Sequence, residues 1–166
     1  MKTLQTTLAL FLGLSLISVA SAQVNVAAAA NGGSASQSSS WAGAYTVAAK
    51  ANDGDRQGNY AAANGIAHTN YDAQAWWQAD FASAATIETV NVFNRTDSFG
   101  SRINTFGVYL YLGGDLVYSA PNQTFQTDIS GLNIAGMTFD TGGALADRVR
   151  IQLTGTNYLQ LAEVEA

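Results

Sequence analysis

One histidine, two arginines and one aspartate are spaced so that together they could bind a ligand rich in oxygen atoms. His68 is the only histidine of the chain, and 26 residues separate it from Arg95. One residue separates Arg95 from Asp97, and four more separate Asp97 from Arg102. Guanidinium and imidazole groups are strong hydrogen-bond donors of fixed geometry. They suit a rigid set of acceptors, such as a phosphate, a carboxylate, or the hydroxyls and ring oxygen of a sugar.

Asp97 is expected to support this cluster. Residues two apart on a strand share a face, so Arg95 and Asp97 would lie side by side. The carboxylate would offset the repulsion between the two guanidinium groups and fix their orientation. The alternative interpretation is that the arginines form surface ion pairs and that His68 is an ordinary loop residue.

The sequence lacks the motifs that would indicate an enzyme. It has no cysteine, which excludes disulfide bonds, thiolate catalysis and cysteine-ligated metals. It contains no nucleophile elbow, P-loop, dinucleotide-binding or zinc motif. Asp80 and Asp97 could serve as a pair of glycosidase carboxylates only if their strands were neighbours. We therefore expect a protein that binds its ligand without catalysis.

The charge of the chain limits its partners. Twelve acidic and seven basic side chains give a formal net charge of −5. Nucleic acids and anionic membrane surfaces attract basic proteins. We therefore expect neither as a partner.

Residues 1–22 are typical of a secretory signal peptide. Lys2 precedes an apolar stretch over residues 8–19, and the segment ends in Ala20-Ser21-Ala22. The apolar stretch is too short for a transmembrane anchor, so we expect no membrane insertion. Cleavage after Ala22 would leave one domain over residues 23–166. We expect this domain to be secreted or extracellular, with the periplasm and the cell surface as alternative destinations.

Short segments that alternate apolar and polar residues predict an all-β protein. The predicted strands are 76–81, 86–94, 103–112, 135–140, 147–153 and 158–166, with an edge strand near 34–41. In residues 86–93, the alternation places Ile87 on one side of its strand and Val90 and Val92 on the other. The short connections predict a single antiparallel β-sandwich. The longer loop over residues 50–72, which contains His68, is the expected place for a site.

The spacing of these residues and the segments around them resemble the F-type lectins, the fucose-binding branch of the discoidin-like sandwich domains. Segment 25–41 is similar to the opening strand of that family, and ANDGDRQGNY (51–60) is similar to its cation-binding loop. WWQADF (76–81) is similar to its core strand, and LQLAEVEA (159–166) to its closing strand. The resemblance covers residues 25–166 and implies a discoidin-like jelly roll.

The resemblance also implies a pocket for L-fucose. His68, Arg95 and Arg102 would donate hydrogen bonds to the ring oxygen and hydroxyls, while Asp97 would orient the arginines. Tyr60 corresponds to an aromatic residue that receives the methyl group of the sugar. Many members place two adjacent cysteines where this chain has Ser98 and Phe99. Phe99 would then supply the apolar surface against the sugar ring.

A structural Ca²⁺ ion is a further implication of the resemblance. Such an ion binds six to eight oxygen atoms. The expected ligands are the carboxylates of Asp53, Asp55 and Glu163 and the carbonyls of Lys50, Gly65 and Ala162. The alternative is an Asp-Gly turn whose charges are solvated.

Together these observations predict a secreted lectin that binds terminal L-fucose, free or on fucosylated glycans. The alternative is a discoidin-like adhesive or structural surface domain that binds another glycan or a protein. Because a single shallow sugar site is usually weak, we also expect several sites to act together, through a homo-oligomer or another multivalent display.

Overall fold

The computed structural model describes residues 23–61, 65–103, 105–125 and 136–166. The predicted signal peptide, residues 1–22, lies outside the described residues. Within those ranges, no helix has the length and apolar character needed to cross a membrane.

The described residues form an antiparallel β structure connected by short 3-10 turns, as the alternating sequence predicts. The nine strands are β1 (Ser34–Gln37), β2 (Ala67–His68), β3 (Asp72–Ala73), β4 (Trp76–Asn94), β5 (Phe106–Leu112), β6 (Asp115–Gln123), β7 (Met137–Leu153), β8 (Thr156–Asn157) and β9 (Gln160–Glu165). The 3-10 turns are Ala29–Asn31, Gly43–Thr46, Ala48–Ala51 and Gly100–Arg102. The all-β prediction is therefore confirmed.

Two long strands, β4 and β7, run through both layers of a sandwich. The first half of β4 pairs with β1 and with the end of β7, and β7 pairs there with β5. The second half of β4 pairs with β9 and with the start of β7. The main path of strands is β2-β9-β4-β7-β5-β6, and a separate ribbon consists of β3 and β8.

The apolar core lies between the two layers. Trp77 and Ile151 come from one layer, Val92 and Val164 come from the other, and all four belong to one buried cluster. Burying one large aliphatic side chain contributes about 1.5–3 kcal/mol to the stability of the fold. The indole N–H of Trp77 donates to the carbonyl of Ala48 at 2.9 Å, so its burial leaves no unpaired donor.

The predicted alternation over residues 86–93 is wrong in one respect. Ile87, Val90 and Val92 are all buried, although the pattern placed Ile87 opposite the two valines. The pairing of β4 with β7 shifts between Ile87 and Thr89. Such an irregularity changes which side chains face the core, and alternation within one strand cannot reveal it.

Candidate functional site

The pairing of β2, β9 and β4 brings the predicted cluster together. His68 lies opposite Gln160 in the pairing of β2 with β9. Asn94, the last residue of β4, lies opposite Leu161 of β9. Arg95 therefore enters the loop beside the strand that faces His68.

The loop over residues 94–102 is closed by its own hydrogen bonds. The Asn94 side chain accepts from the backbone N–H of Arg95 at 2.7 Å and donates to the carbonyl of Gly100 at 2.8 Å. A Cβ atom at Gly100 would lie 2.6 Å from the carbonyl oxygen of Arg95, so this close approach requires glycine. The loop then ends in the 3-10 turn that presents Arg102.

Arg95 and Asp97 form a two-pronged ion pair, as the spacing predicts. Nε and Nη2 of Arg95 donate to the two oxygens of Asp97 at 2.5 and 2.9 Å. The backbone N–H groups of Tyr60 and Phe99 donate to the same carboxylate, each at 3.2 Å. Burial by itself raises the pKa of Asp97, but the hydrogen bonds from Arg95 and the two backbone groups outweigh burial and lower the pKa. Asp97 thus fixes the orientation of Arg95 and connects the loop that contains Tyr60 to the loop that contains Phe99.

Gln160 lies at the centre of the cluster and is completely buried. With its side-chain oxygen turned toward the arginines, it accepts from Nη1 of Arg95 at 3.0 Å and from Nη1 of Arg102 at 3.2 Å. Its amide nitrogen then donates to the carbonyl of Phe99 at 3.2 Å. Sequence reasoning missed Gln160, because a glutamine between two leucines gives no sign of what lies across the sheet.

His68 is only 2 % exposed and belongs to the interior wall of this cluster. Its Nδ1 lies 2.7 Å from the carbonyl oxygen of Thr69, and its Nε2 lies 2.5 Å from the side-chain amide of Gln160. Burial lowers the pKa of His68 and the contact with Thr69 raises it, while the charges of Arg95 and Arg102 lower it further. A neutral ring has one proton to donate, so it cannot donate to Thr69 and to Gln160 together.

Aromatic rings flank the two guanidinium groups. Arg95 lies over the rings of Tyr60 and Phe99, at 5.1 and 4.8 Å from the ring centroids. Arg102 lies between Phe99 and Tyr158, at 4.2 and 4.7 Å. Phe99 keeps 45 % of its surface exposed. The cluster therefore presents hydrogen-bond donors next to an accessible apolar ring.

The second predicted site lies where the loop after Ala51 meets β9. Glu163 is fully buried, and one of its oxygens, Oε1, accepts from the backbone N–H of Gly54 at 3.3 Å. Its other oxygen, Oε2, has no hydrogen-bond partner among the described residues. Burial raises the pKa of Glu163 to about 8; the hydrogen bond from Gly54 opposes this rise, and the charges of Asp53 and Glu165 add to it.

The structure describes each of the other predicted cation ligands. Nζ of Lys50 lies 3.9 Å from Oδ2 of Asp53. Asp55 is exposed and accepts from the backbone N–H of Gln57 at 2.9 Å. Gly65 has a positive φ of 100°, and Ala162 is buried in β9. Within the described ranges, no three acidic or histidine side chains form a group that could hold a metal ion. Any cation here would need backbone carbonyls to complete its ligands.

Comparison with known proteins identifies relatives over most of the chain. The family described as F5/F8 type C, NedA-like, galactose-binding domain matches residues 50–151. Fucolectin-5 of Anguilla japonica is 33 % identical over 116 residues, which cover 68 % of this chain and 59 % of the relative. The chain thus spans about three fifths of the length of that protein. Fucolectin-4 of the same species is 32 % identical over 139 residues, 80 % of this chain and 75 % of the relative.

A solved structure shares the fold. It is a fucose binding module of Streptococcus pneumoniae, which is 27 % identical and superposes with a TM-score of 0.72. The similarity covers 86 % of this chain and 96 % of the module.

Proposed function

The chain belongs to the F5/F8 type C family of NedA-like, galactose-binding domains and is related to the fucolectins, and on this basis we propose that it is a lectin that binds terminal L-fucose. It is a binding domain rather than an enzyme. The names of its relatives, fucolectins and a fucose binding module, support the choice of sugar.

The observation that carries this proposal is the convergence of His68, Arg95 and Arg102 on one buried acceptor, Gln160. The N–H groups that the two arginines do not use within the cluster can be shared by the ring oxygen and neighbouring hydroxyls of one sugar. His68, which is buried and has both ring nitrogens in contact within the protein, forms the wall beside them. Arg102 is the most accessible of the three and offers the first contact. Arg95 uses one N–H on each of its three nitrogens for Asp97 and Gln160, so two of its five N–H groups remain for a ligand.

The apolar rings support fucose over galactose. L-fucose carries a methyl group at the position where galactose carries a hydroxymethyl group. Tyr60 and Phe99 lie beside the guanidinium groups and offer aromatic surface to such a methyl group. A hydroxymethyl group against the same rings would lose hydrogen bonds to water.

Binding to immobilised glycans, with free L-fucose as competitor, tests the proposal. We expect fucosylated glycans to be retained, L-fucose to displace them, and Arg102→Ala to weaken binding by about tenfold or more, since a charged hydrogen bond contributes about 1.5–3 kcal/mol. Arg148→Ala is the matched control, because Arg148 pairs with Asp80 on β4, far along the strand from the loop that carries Arg102. If fucosylated glycans are retained no better than galactose or mannose glycans, fucose recognition is rejected and an adhesive domain with another partner is favoured.

We also propose a structural Ca²⁺ ion beside Glu163. Its buried carboxylate has one oxygen without a partner, and the carboxylate of Asp53 is near enough to raise its pKa. Such a group is stabilised by a hard cation, which would use Asp53, Glu163 and backbone carbonyls as ligands. Bound there, the cation would tie the loop over residues 52–59 to β9.

Display of several copies would raise the strength of binding to a glycan surface. A single shallow sugar site is usually weak, and linked sites increase avidity through effective concentration. Export from the cell would bring such a display to extracellular glycans. Both features remain predictions.

A further inference from the structure

We propose that three aromatic residues, Trp41, Tyr71 and Tyr158, form a subsite for a second pyranose ring of the same oligosaccharide. We call this group the aromatic shelf. It lies next to His68, Arg95 and Arg102, which we call the donor cluster. The inference rests on the proposed function, because the shelf would bind the sugar that is linked to the fucose.

The shelf is continuous with the donor cluster. The ring of Trp41 stacks on the imidazole of His68, with centroids 5.1 Å apart and planes at 23°. Tyr158 meets His68 edge to face at 5.4 Å, and Tyr71 meets Tyr158 in the same way at 5.4 Å. Arg102 lies over the ring of Tyr158, which therefore borders both the donor cluster and the shelf.

Local backbone pairing holds the shelf in place. Asp72 of β3 pairs with Asn157 of β8 in antiparallel orientation, so the preceding Tyr71 lies beside the following Tyr158. The backbone N–H of Trp41 donates to the carbonyl of His68 at 3.0 Å. The shelf is therefore arranged before any ligand arrives, which lowers the entropic cost of binding.

A hydroxyl group joins the two loops that carry Trp41 and Tyr71. Oγ of Ser39 accepts from the backbone N–H of Asn70 at 2.8 Å and donates to the carboxylate of Asp72. Because Ser39 bonds to the residue before Tyr71 and to the residue after it, the loop over residues 38–41 and the loop over residues 69–72 are held as a unit.

The shelf keeps a large aromatic surface in contact with water. Trp41 is 51 % exposed and Tyr71 is 60 % exposed. His68 stacks on one face of Trp41, and the rings of Tyr71 and Tyr158 meet at 64°, so these contacts leave both side chains accessible to a ligand. Single exposed aromatic residues are common, but a contiguous exposed group beside a candidate site indicates a contact surface.

The chemistry of the shelf suits a sugar ring better than a fully apolar group. A pyranose has faces of C–H groups that lie against aromatic rings, and its hydroxyls need polar partners at the edge. Asn70 is exposed beside Tyr71, and Asn157 is partly exposed beside Tyr158. Both carry side-chain amides that can donate and accept hydrogen bonds.

Calorimetric titration of the full chain with methyl α-L-fucoside and with a panel of fucosyl di- and trisaccharides of different linkage tests the proposal. We expect at least one oligosaccharide to bind more tightly than the monosaccharide. Tyr71→Ala should lower the affinity for that oligosaccharide by about three- to tenfold, the range expected for one aromatic contact. Its effect on methyl α-L-fucoside should be less than about twofold, because the ring contact of Tyr71 is with Tyr158 and not with His68, Arg95 or Arg102.

Two control variants define the result. Tyr71→Phe should bind like the wild type, because it keeps the ring, and Leu116→Ala should do the same, because it removes an exposed apolar side chain from the edge strand β6 at the other end of the strand order. The shelf is rejected, with the lectin function intact, if no oligosaccharide exceeds the monosaccharide or if Tyr71→Ala weakens both ligands equally. If the wild type binds no fucosyl ligand, the proposed function is rejected and the shelf falls with it.

Discussion

Gln160 determines how the donors of the cluster are arranged. Its side-chain oxygen is the acceptor for one N–H of Arg95 and one of Arg102, and it also lies next to His68. Without this acceptor, the two guanidinium groups would keep their mutual repulsion and lose a common anchor. Gln160 is fully buried, so it acts by positioning the donors from the interior of the protein.

Replacing Gln160 by leucine should therefore weaken sugar binding even though the side chain does not reach the surface. We expect about a tenfold loss of affinity for L-fucose, and a loss of about 1–3 kcal/mol of stability because buried donors are left unpaired. Gln160→Glu keeps an acceptor between the arginines and should retain more of the affinity than leucine does. Titration calorimetry and urea denaturation measure the two effects. Unchanged affinity in Gln160→Leu would show that the arginines are held by other contacts.

The ion pair between Arg95 and Asp97 gives a pH-dependent contribution to stability. The pKa of Asp97 lies below its ordinary value of 3.8 in the folded protein. A carboxyl group with a lowered pKa stabilises the fold at pH values above its unfolded pKa, and this contribution is lost as the pH falls through the folded pKa. The stabilisation is therefore fully present at neutral pH, begins to decline at about pH 4 and is lost as the pH falls through the lower pKa of the folded state.

Asp97→Asn should accordingly be less stable than the wild type at pH 7 by about 1.5–3 kcal/mol, the usual contribution of charged hydrogen bonds. The difference should shrink as the pH falls below about 4 and the wild-type carboxyl group gains its proton. Urea denaturation at pH 7 and at a series of pH values below about 4 measures it. Asp115→Asn is the control, because Asp115 is exposed. A difference that does not change with pH would mean that Asp97 stabilises the loop without its charge.

At the scale of elements, the strands could be predicted where side chains alternate. Their bounds could not be predicted where irregularities in strand pairing determine them. Residues 76–81 and 86–94, predicted as two strands, are one continuous strand with register shifts. The strand Asp115–Gln123 was not predicted, and it contains Pro121, which lacks a backbone N–H group. It lies at the edge of the sheet, where a missing donor is tolerated.

The same limit applies to the site. His68, Arg95, Asp97 and Arg102 could be identified from their types and spacing, and the structure brings them together. Gln160 could not, because its role depends on the register between β2 and β9. The position of a residue across a sheet is set by strand pairing, which a local pattern does not record.

The junction between the loop over residues 52–59 and β9 should respond to calcium. At a Ca²⁺ concentration about one hundred times the dissociation constant, binding adds about 2.7 kcal/mol to the free energy of unfolding. We therefore expect Ca²⁺ to raise the melting temperature and a chelator to reverse the rise. Glu163→Gln should abolish the response, and Glu88→Gln, an exposed change on β4, should leave it intact. If Ca²⁺ does not change the melting temperature of the wild type, the proposed Ca²⁺ site is rejected.

At the scale of the whole molecule, the donor cluster is a local basic site in an acidic protein. The chain carries a net charge of −5, whereas the cluster contains two arginines and, among the described residues, one carboxylate that bonds to them. A phosphate or a carboxylate ligand would be attracted by the cluster and repelled by the rest of the molecule. A neutral sugar would experience neither force.

The affinity for L-fucose should therefore be nearly independent of ionic strength. Between about 50 and about 500 mM NaCl, salt screens exposed charges strongly, so an anionic ligand would lose affinity if the arginines held it by charge. Hydrogen bonds to neutral hydroxyls are affected much less, and we expect the dissociation constant for L-fucose to change by less than about twofold. Titration calorimetry over the salt range measures this, with inorganic phosphate as a competitor in parallel. A dissociation constant for L-fucose that rises steeply with salt, together with competition by phosphate, would mean that the cluster recognises anions, because chloride and phosphate would then occupy the donors in place of the sugar.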